Sequence, residues 1–156
     1  MNNVVSGSYN KVLYTNSCVV IGNRTYIKGG GSFNVKGDDN HIEAGGSCNV
    51  FGNSNVIKGN NVGGVYIKGN NNINLGANGD TIIGNDNHTT SDGFGGNNIT
   101  GNSNRLESCG GTTIKGNGNK LTRSSGSPIT GHNNIVSDGY AKITGDNNLV
   151  KNSYGT

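Results

Sequence analysis

Residues 31–59 read GSFNVKGDDNHIEAGGSCNVFGNSNVIKG, and the fold follows from the spacing inside them. Gly37 and Gly52 stand 15 residues apart, with Val35 and Val50 two positions before them, Asn40 and Asn55 three positions after, and Ile42 and Ile57 five positions after. Outward from this stretch the same glycine recurs as Gly7, Gly22, Gly37, Gly52, Gly69, Gly84, Gly101, Gly116, Gly131 and Gly145, with gaps of 15, 15, 15, 17, 15, 17, 15, 15 and 14. Periods of this length mark a solenoid, in which each repeat buries its apolar side only by stacking on its neighbours.

Three columns accompany the glycine. Two residues before it stand Val5, Val20, Val35, Val50, Ile67, Ile82, Ile99, Ile114, Ile129 and Ile143, all β-branched and suited to a pleated strand. Five residues after it stand Val12, Ile27, Ile42, Ile57, Asn74, Thr89, Leu106, Leu121, Val136 and Val150. The third residue after it is Asn in every repeat but one, where Thr25 replaces it. The pattern therefore predicts a single all-β domain over 1–156. It is a β-solenoid of about ten 15-residue coils, each with one strand in a first sheet (after the glycine) and one in a second sheet (before it). An internal asparagine ladder is expected at the first corner, satisfying turn backbone and stacking amide on amide. Glycine pairs such as Gly30-Gly31 and Gly45-Gly46 are expected to supply positive φ at the second corner.

At roughly 4.8 Å per strand, ten coils make a rod on the order of 48 Å long, with one aliphatic row from each sheet as its core. Asn74 and Thr89 interrupt one row, so a register slip is expected there, with Ile73 or Leu75 turned inward. The two 17-residue coils carry their surplus at 60–64 and 91–96, near the second turn.

Composition fits this narrow core. Of 156 residues, 29 are Gly and 30 Asn, and only 29% are hydrophobic, too few for a conventional layered domain. Helices are excluded by the Gly and Asn content, and disorder by 13 Ile and 12 Val at fixed intervals. No run approaches the roughly 20 apolar residues of a membrane span. Residues 1–16 lack the basic start and apolar run of a secretory signal; the expectation is an extracellular protein if Met1 is an added residue, and a cytoplasmic or virion protein otherwise. Cys18 and Cys48 fall two coils apart with Phe33 between them, beyond disulfide reach, so free thiols are expected, as for Cys109.

The half-repeats SGSYNKV (6–12), GSFNVKG (31–37), GSCNVFG (46–52) and GNSNVIKG (52–59) resemble the xxNxVxG repeats of grass antifreeze and ice-recrystallisation-inhibition proteins. The resemblance extends over essentially the whole chain. It implies a left-handed two-sheet β-roll with an asparagine-lined corner and one flat face that binds ice. The chain departs from that family in its outward residues. On the first sheet these include Tyr26/Lys28, His41/Glu43 and Arg105/Glu107, too irregular and charged for a lattice surface. The second sheet carries hydroxyls toward its C-terminal half, and the expected ice-binding residues are Thr81, Ile83, Thr100, Thr113, Thr130 and Thr144.

Other chemistries fail on spacing. Glu43 and Glu107 lie four coils apart, roughly 19 Å, too far for a paired-carboxylate mechanism. His41 and His88 are three coils apart and cannot share a metal. No phosphate loop, dinucleotide fingerprint or RTX-type calcium repeat is present. The expectation is a protein without catalytic residues, metal, cofactor or nucleic-acid partner. Ice is its expected surface, with glycan, other protein chains or end-to-end and side-by-side self-association as alternatives. A structural or attachment module of a virion, phage fibre or surface adhesin is the second reading, from the mixed exterior and from ends (MNNVVSG and KNSYGT) that read as neither helix nor bulky cap.

Overall fold

The structure is a computed structural model that describes residues 3–13, 16–62, 64–77, 79–90, 96–108, 110–123, 127–139 and 141–152. Among these it holds strands and turns and no helix. In chain order the strands are β1 (Asn3–Ser6), β2 (Lys11–Leu13), β3 (Ser17–Ile21), β4 (Tyr26–Gly29), β5 (Ser32–Lys36), β6 (His41–Ala44) and β7 (Cys48–Phe51). They continue as β8 (Val56–Val62), β9 (Tyr66–Lys68), β10 (Ile73–Ala77), β11 (Thr81–Ile83), β12 (His88–Thr90) and β13 (Asn98–Thr100). The last seven are β14 (Arg105–Glu107), β15 (Thr113–Lys115), β16 (Lys120–Thr122), β17 (Ser127–Thr130), β18 (Ile135–Ser137), β19 (Ala141–Thr144) and β20 (Leu149–Lys151).

Odd-numbered strands, which precede the repeat glycine, pair in parallel as the ten-stranded second sheet, and even-numbered strands form the ten-stranded first sheet. The chain is thus a β-solenoid. The register joins equivalent positions of successive coils, as in Val20↔Val35↔Val50 and Ile27↔Ile42↔Ile57. Both aliphatic columns face inward along the rod, from Val20 and Ile27 to Ile129 and Val136.

The repeat glycine is fixed by sterics. Its φ lies between 100° and 158°, and from Gly22 to Gly145 a Cβ would sit 1.8–2.1 Å from the carbonyl oxygen of the preceding coil's repeat glycine. No other residue fits so close an approach. The glycine pairs of the second corner act differently from expectation. Among the described residues of those pairs only Gly111 has positive φ, whereas at Gly31 a Cβ would overlap the Asn16 carbonyl at 0.9 Å. Close packing of coil on coil, not backbone handedness, selects glycine at Gly31.

The asparagine ladder is present and buried. From Thr25 to Asn134 each backbone N–H donates to the side-chain oxygen of the next coil's asparagine at 2.8–2.9 Å. The amide nitrogens of Asn55, Asn72, Asn87, Asn104 and Asn148 donate backwards to a repeat-glycine carbonyl at 3.0–3.1 Å. A second ladder, on the outer side of the same corner, runs in the opposite sense. There the backbone N–H of Asp38, Asn53, Asn70, Asn85, Asn102, Asn117 and His132 donates to the side chain of the preceding coil at 2.6–2.9 Å. His132 Nδ1 then accepts from Asp146 N–H at 3.0 Å.

Two expectations are corrected. The core is wider than one row per sheet, because the second sheet buries another column, four residues before the glycine: Cys18, Phe33, Cys48, Val65, Asp80, Asn97 and Thr112. The register does not slip at Asn74 and Thr89, which are buried at 0% and 1% exposure, while Ile73 faces out at 38%. The ladder at Asn72 and Asn87 pins both coils, and the inward Asn74 amide finds a partner in Asp80, its Nδ2 donating to the carboxylate at 2.7 Å. The first surplus enters β8, where pairing with β10 shifts between Leu75 and Ala77. Residues 91–95 of the second surplus lie outside the described residues, as does Cys109.

Candidate functional site: the outer face of the second sheet

Alternation along each odd strand puts the residues three and one before the glycine on the outside. Thr81, Ile83, Thr100, Thr113, Thr130 and Thr144 all point outward from this sheet, and all but the half-buried Thr81 and Thr113 are exposed. The register shows how far they form an array. One column runs Thr81–Asn98–Thr113 and the other Ile83–Thr100–Lys115–Thr130–Thr144. Thr130 and Thr144 are direct neighbours; Asn98 and Lys115 separate the others. The face therefore carries threonines from β11 to β19 as an interrupted double file.

The N-terminal half of the same face is different. Its columns run Val19–Asn34–Asn49–Tyr66 and Ile21–Lys36–Phe51–Lys68. Phe51 and Tyr66 touch across the two columns, ring centroids 5.7 Å apart and planes tilted by 48°. Asn49 Nδ2 donates to Asn34 Oδ1 at 2.6 Å.

Charge separates the two sheets. The outer positions of the second sheet hold Lys36, Lys68, Lys115 and Lys142 and no acidic residue, and none of these lysines takes part in an ion pair among the described residues. The first sheet pairs both of its acids with neighbouring cations and exposes Lys11, Lys58, Lys120 and Lys151 besides. Lys28 lies 3.0 Å from Glu43, His41 lies 3.3 Å from the same carboxylate, and Arg105 Nε donates to Glu107 at 2.8 Å. Hydrogen bonds from Lys28 and from Arg105 hold Glu43 and Glu107 below the usual carboxylate range. Each acid is thus occupied by neighbours on its own face.

Glu43 and Glu107 are separated by Lys58, Leu75 and Thr90 in the register, so the two carboxylates cannot act on one bond. Among the described residues no group of three or more His, Cys, Asp or Glu is placed to hold a metal ion. Among the described residues no helix is long and apolar enough to cross a membrane. Cys18 and Cys48 are buried free thiols, and burial pushes Cys48 up to about 11, which keeps it a thiol at neutral pH.

Three features of this region escaped the sequence reading. The outer ladder leaves only a partial trace in unit openings such as GNRTYI, GNSNVI and GNNNIN, whose second residue is an amide, because Asp38 and His132 stand at the same position in other coils. Asp80, Asn97 and Thr112 share no residue type, and only the register reveals their column. Asp80 accepts from Val65 N–H at 3.0 Å and donates its own N–H to Asn97 Oδ1 at 2.8 Å, a third short ladder, and burial raises its carboxyl above the ordinary value. Comparison with known protein families, curated proteins and solved structures returns no match.

Proposed function

We propose that this chain is a non-enzymatic ice-adsorbing protein that works through the outer face of its second sheet. The observation that supports this reading is the shared outward placement of Thr81, Thr100, Thr113, Thr130 and Thr144 on one parallel sheet, at the fixed spacing of successive coils. Adsorption needs methyl and hydroxyl groups held at lattice-like intervals on a surface that does not twist. Side-chain ladders are a recognised device for keeping a many-stranded sheet flat, and this solenoid has two along one corner.

Recrystallisation in a frozen thin film tests the reading. The native chain should keep grains small at micromolar concentration, Thr100→Tyr and Thr113→Tyr should each abolish the effect, and Ile135→Tyr, outward on the first sheet, should leave it intact. Grain growth at the buffer level with the native chain refutes ice adsorption. The second reading, a structural or attachment module of a virion, phage fibre or surface adhesin, is favoured by the lysines. Lys115 breaks one threonine column, and Lys142 stands beside Thr144 at the end of the other. A charged side chain in a threonine file obstructs a lattice surface but suits a charged partner.

A further inference from the structure

We infer that the outer face of β3, β5, β7, β9 and β11 binds an extended acidic polysaccharide, with Phe51 and Tyr66 as the sugar platform and Lys36 and Lys68 as its carboxylate contacts. The inference gives the attachment reading a partner class and does not depend on ice adsorption, which uses the face from β11 onward, so the two surfaces share only β11 and are told apart at Lys36, Phe51 and Lys68.

Ile21, Lys36, Phe51, Lys68 and Ile83 follow each other in register, alternating apolar and cationic over five successive coils. All three apolar members are exposed, at 48%, 41% and 38%. Large apolar residues set regularly between lysines are not what a merely solvated surface requires. The period is two coils, roughly 9.6 Å. A two-fold ribbon of β-1,4-linked uronate sugars presents one ring face and one carboxylate on a given side per disaccharide, so its repeat matches an alternation of platform and cation.

Charge complementarity selects an acidic polymer. The face has no acid to pair with its lysines, whereas the opposite face holds two acids, each paired with a cation beside it. The neighbouring column, Asn34–Asn49–Tyr66–Thr81, supplies amide and hydroxyl groups that suit sugar hydroxyls and that a lipid surface would desolvate without replacement. Single-stranded nucleic acid fits less well. Phe51 and Tyr66 contact each other, leaving no slot between them for a base.

The test uses the full chain and a defined polymer: alginate rich in β-1,4-linked mannuronate, against the same alginate with its carboxyls methyl-esterified. The native chain should bind alginate with a strong salt dependence and bind the ester at least tenfold more weakly. Phe51→Thr should weaken binding about fivefold or more at fixed salt without altering the salt slope. Lys36→Gln and Lys68→Gln should each reduce the slope of log affinity against log salt by about 0.7, the figure for a single-stranded polyanion. All three side chains are exposed, so the far-ultraviolet circular dichroism of the variants should match the native chain. Equal binding of the ester, unchanged affinity of Phe51→Thr, or equal or tighter binding to oligo(dT) or phosphatidylserine vesicles would overturn the inference. These variants leave the threonine half intact, so frozen-film grain size separates failure of this site from failure of ice adsorption.

Discussion

Asn102 and Asn104 are two residues apart, each accepts a short hydrogen bond from a neighbouring coil, and their removal should have very different costs. Asn104 is buried at 1% exposure; its oxygen accepts the Asn87 N–H at 2.9 Å, and its amide nitrogen donates to the Gly84 carbonyl at 3.1 Å. Asn104→Ala strands that N–H inside the corner, which costs about 1–3 kcal/mol, and removes the carbonyl's bond for about 1 kcal/mol more. The Asn87 side chain loses one contact and keeps another, to Gly69 O at 3.1 Å, so the sum is about 3 kcal/mol. Asn102 is exposed, and its oxygen accepts the Asn117 N–H at 2.8 Å. Water replaces it in Asn102→Ala, leaving a loss of about 0.5–1 kcal/mol. Urea unfolding followed by circular dichroism reads both, as midpoint shifts at constant slope. Asn104→Asp should also be severe, because its second oxygen would face the two acceptors, Gly84 O and Asn119 Oδ1, that the amide nitrogen serves. Asp in the outer ladder is already tolerated at Asp38, whose carboxylate accepts the Asn53 N–H at 2.6 Å. If Asn102→Ala costs as much as Asn104→Ala, the reasoning that burial sets the value of each ladder is wrong.

Two further outcomes follow from local geometry. Gly101→Ala should destabilise by about 3 kcal/mol or more, since φ is 144° and the added Cβ would lie 2.0 Å from Gly84 O; Gly118→Ala should stay within about 1 kcal/mol, because its nearest neighbour would be 3.9 Å away and Ser103 holds the equivalent backbone in the preceding coil. Differential scanning calorimetry of the pair checks this, and similar losses would refute the steric account. Asp80→Asn should stabilise the protein at neutral pH. Burial raises this carboxyl in the folded state above its ordinary value of 3.8, so its stability contribution is undiminished below that value and is lost as pH rises through the folded pKa. The variant keeps an oxygen for the Val65 N–H, and a flipped Asn74 amide accepts from the new amide. The melting-temperature gap between variant and native chain should therefore widen from pH 4 to pH 8, and a gap that is constant or shrinks would contradict it.

What the sequence made legible was whatever sterics or dual hydrogen bonding leaves no choice about. The repeat glycine is dictated by a carbonyl about 2 Å from its missing Cβ, and the inner ladder needs an acceptor and a donor on one short side chain, which Asn supplies. Thr25 shows the cost of departure, because its hydroxyl is buried without a hydrogen-bond partner. Columns with looser demands were hidden. The outer ladder needs only an acceptor, so Asn, Asp and His132 all serve, and no single residue type announces it. Asn74 and Thr89 suggested a slipped strand because apolar pattern was the guide, yet the neighbouring ladder hydrogen bonds at Asn72 and Asn87 set the register whatever those two side chains are. The threonine positions were readable as outward-facing, but their breakup into an interrupted double file required the pairing of successive coils.

The same division says where function is to be sought. A solenoid held by invariant inward columns places almost no constraint on its outward ones, so any order found there is unexplained by folding. On the first sheet the outward acids are satisfied by cations on the same face, Glu43 by Lys28 and Glu107 by Arg105, as expected of a surface that only has to stay soluble. On the second sheet charges of one sign stand without partners, apolar side chains alternate with them over five coils, and hydroxyls gather beyond β11. Unpaired like charges along a rod repel one another and lower its stability, and exposed Ile21 and Phe51 add an aggregation risk; neither helps the coil to form. A face whose cations have no acid beside them in any coil is the face on which an anionic partner has to supply the missing complement.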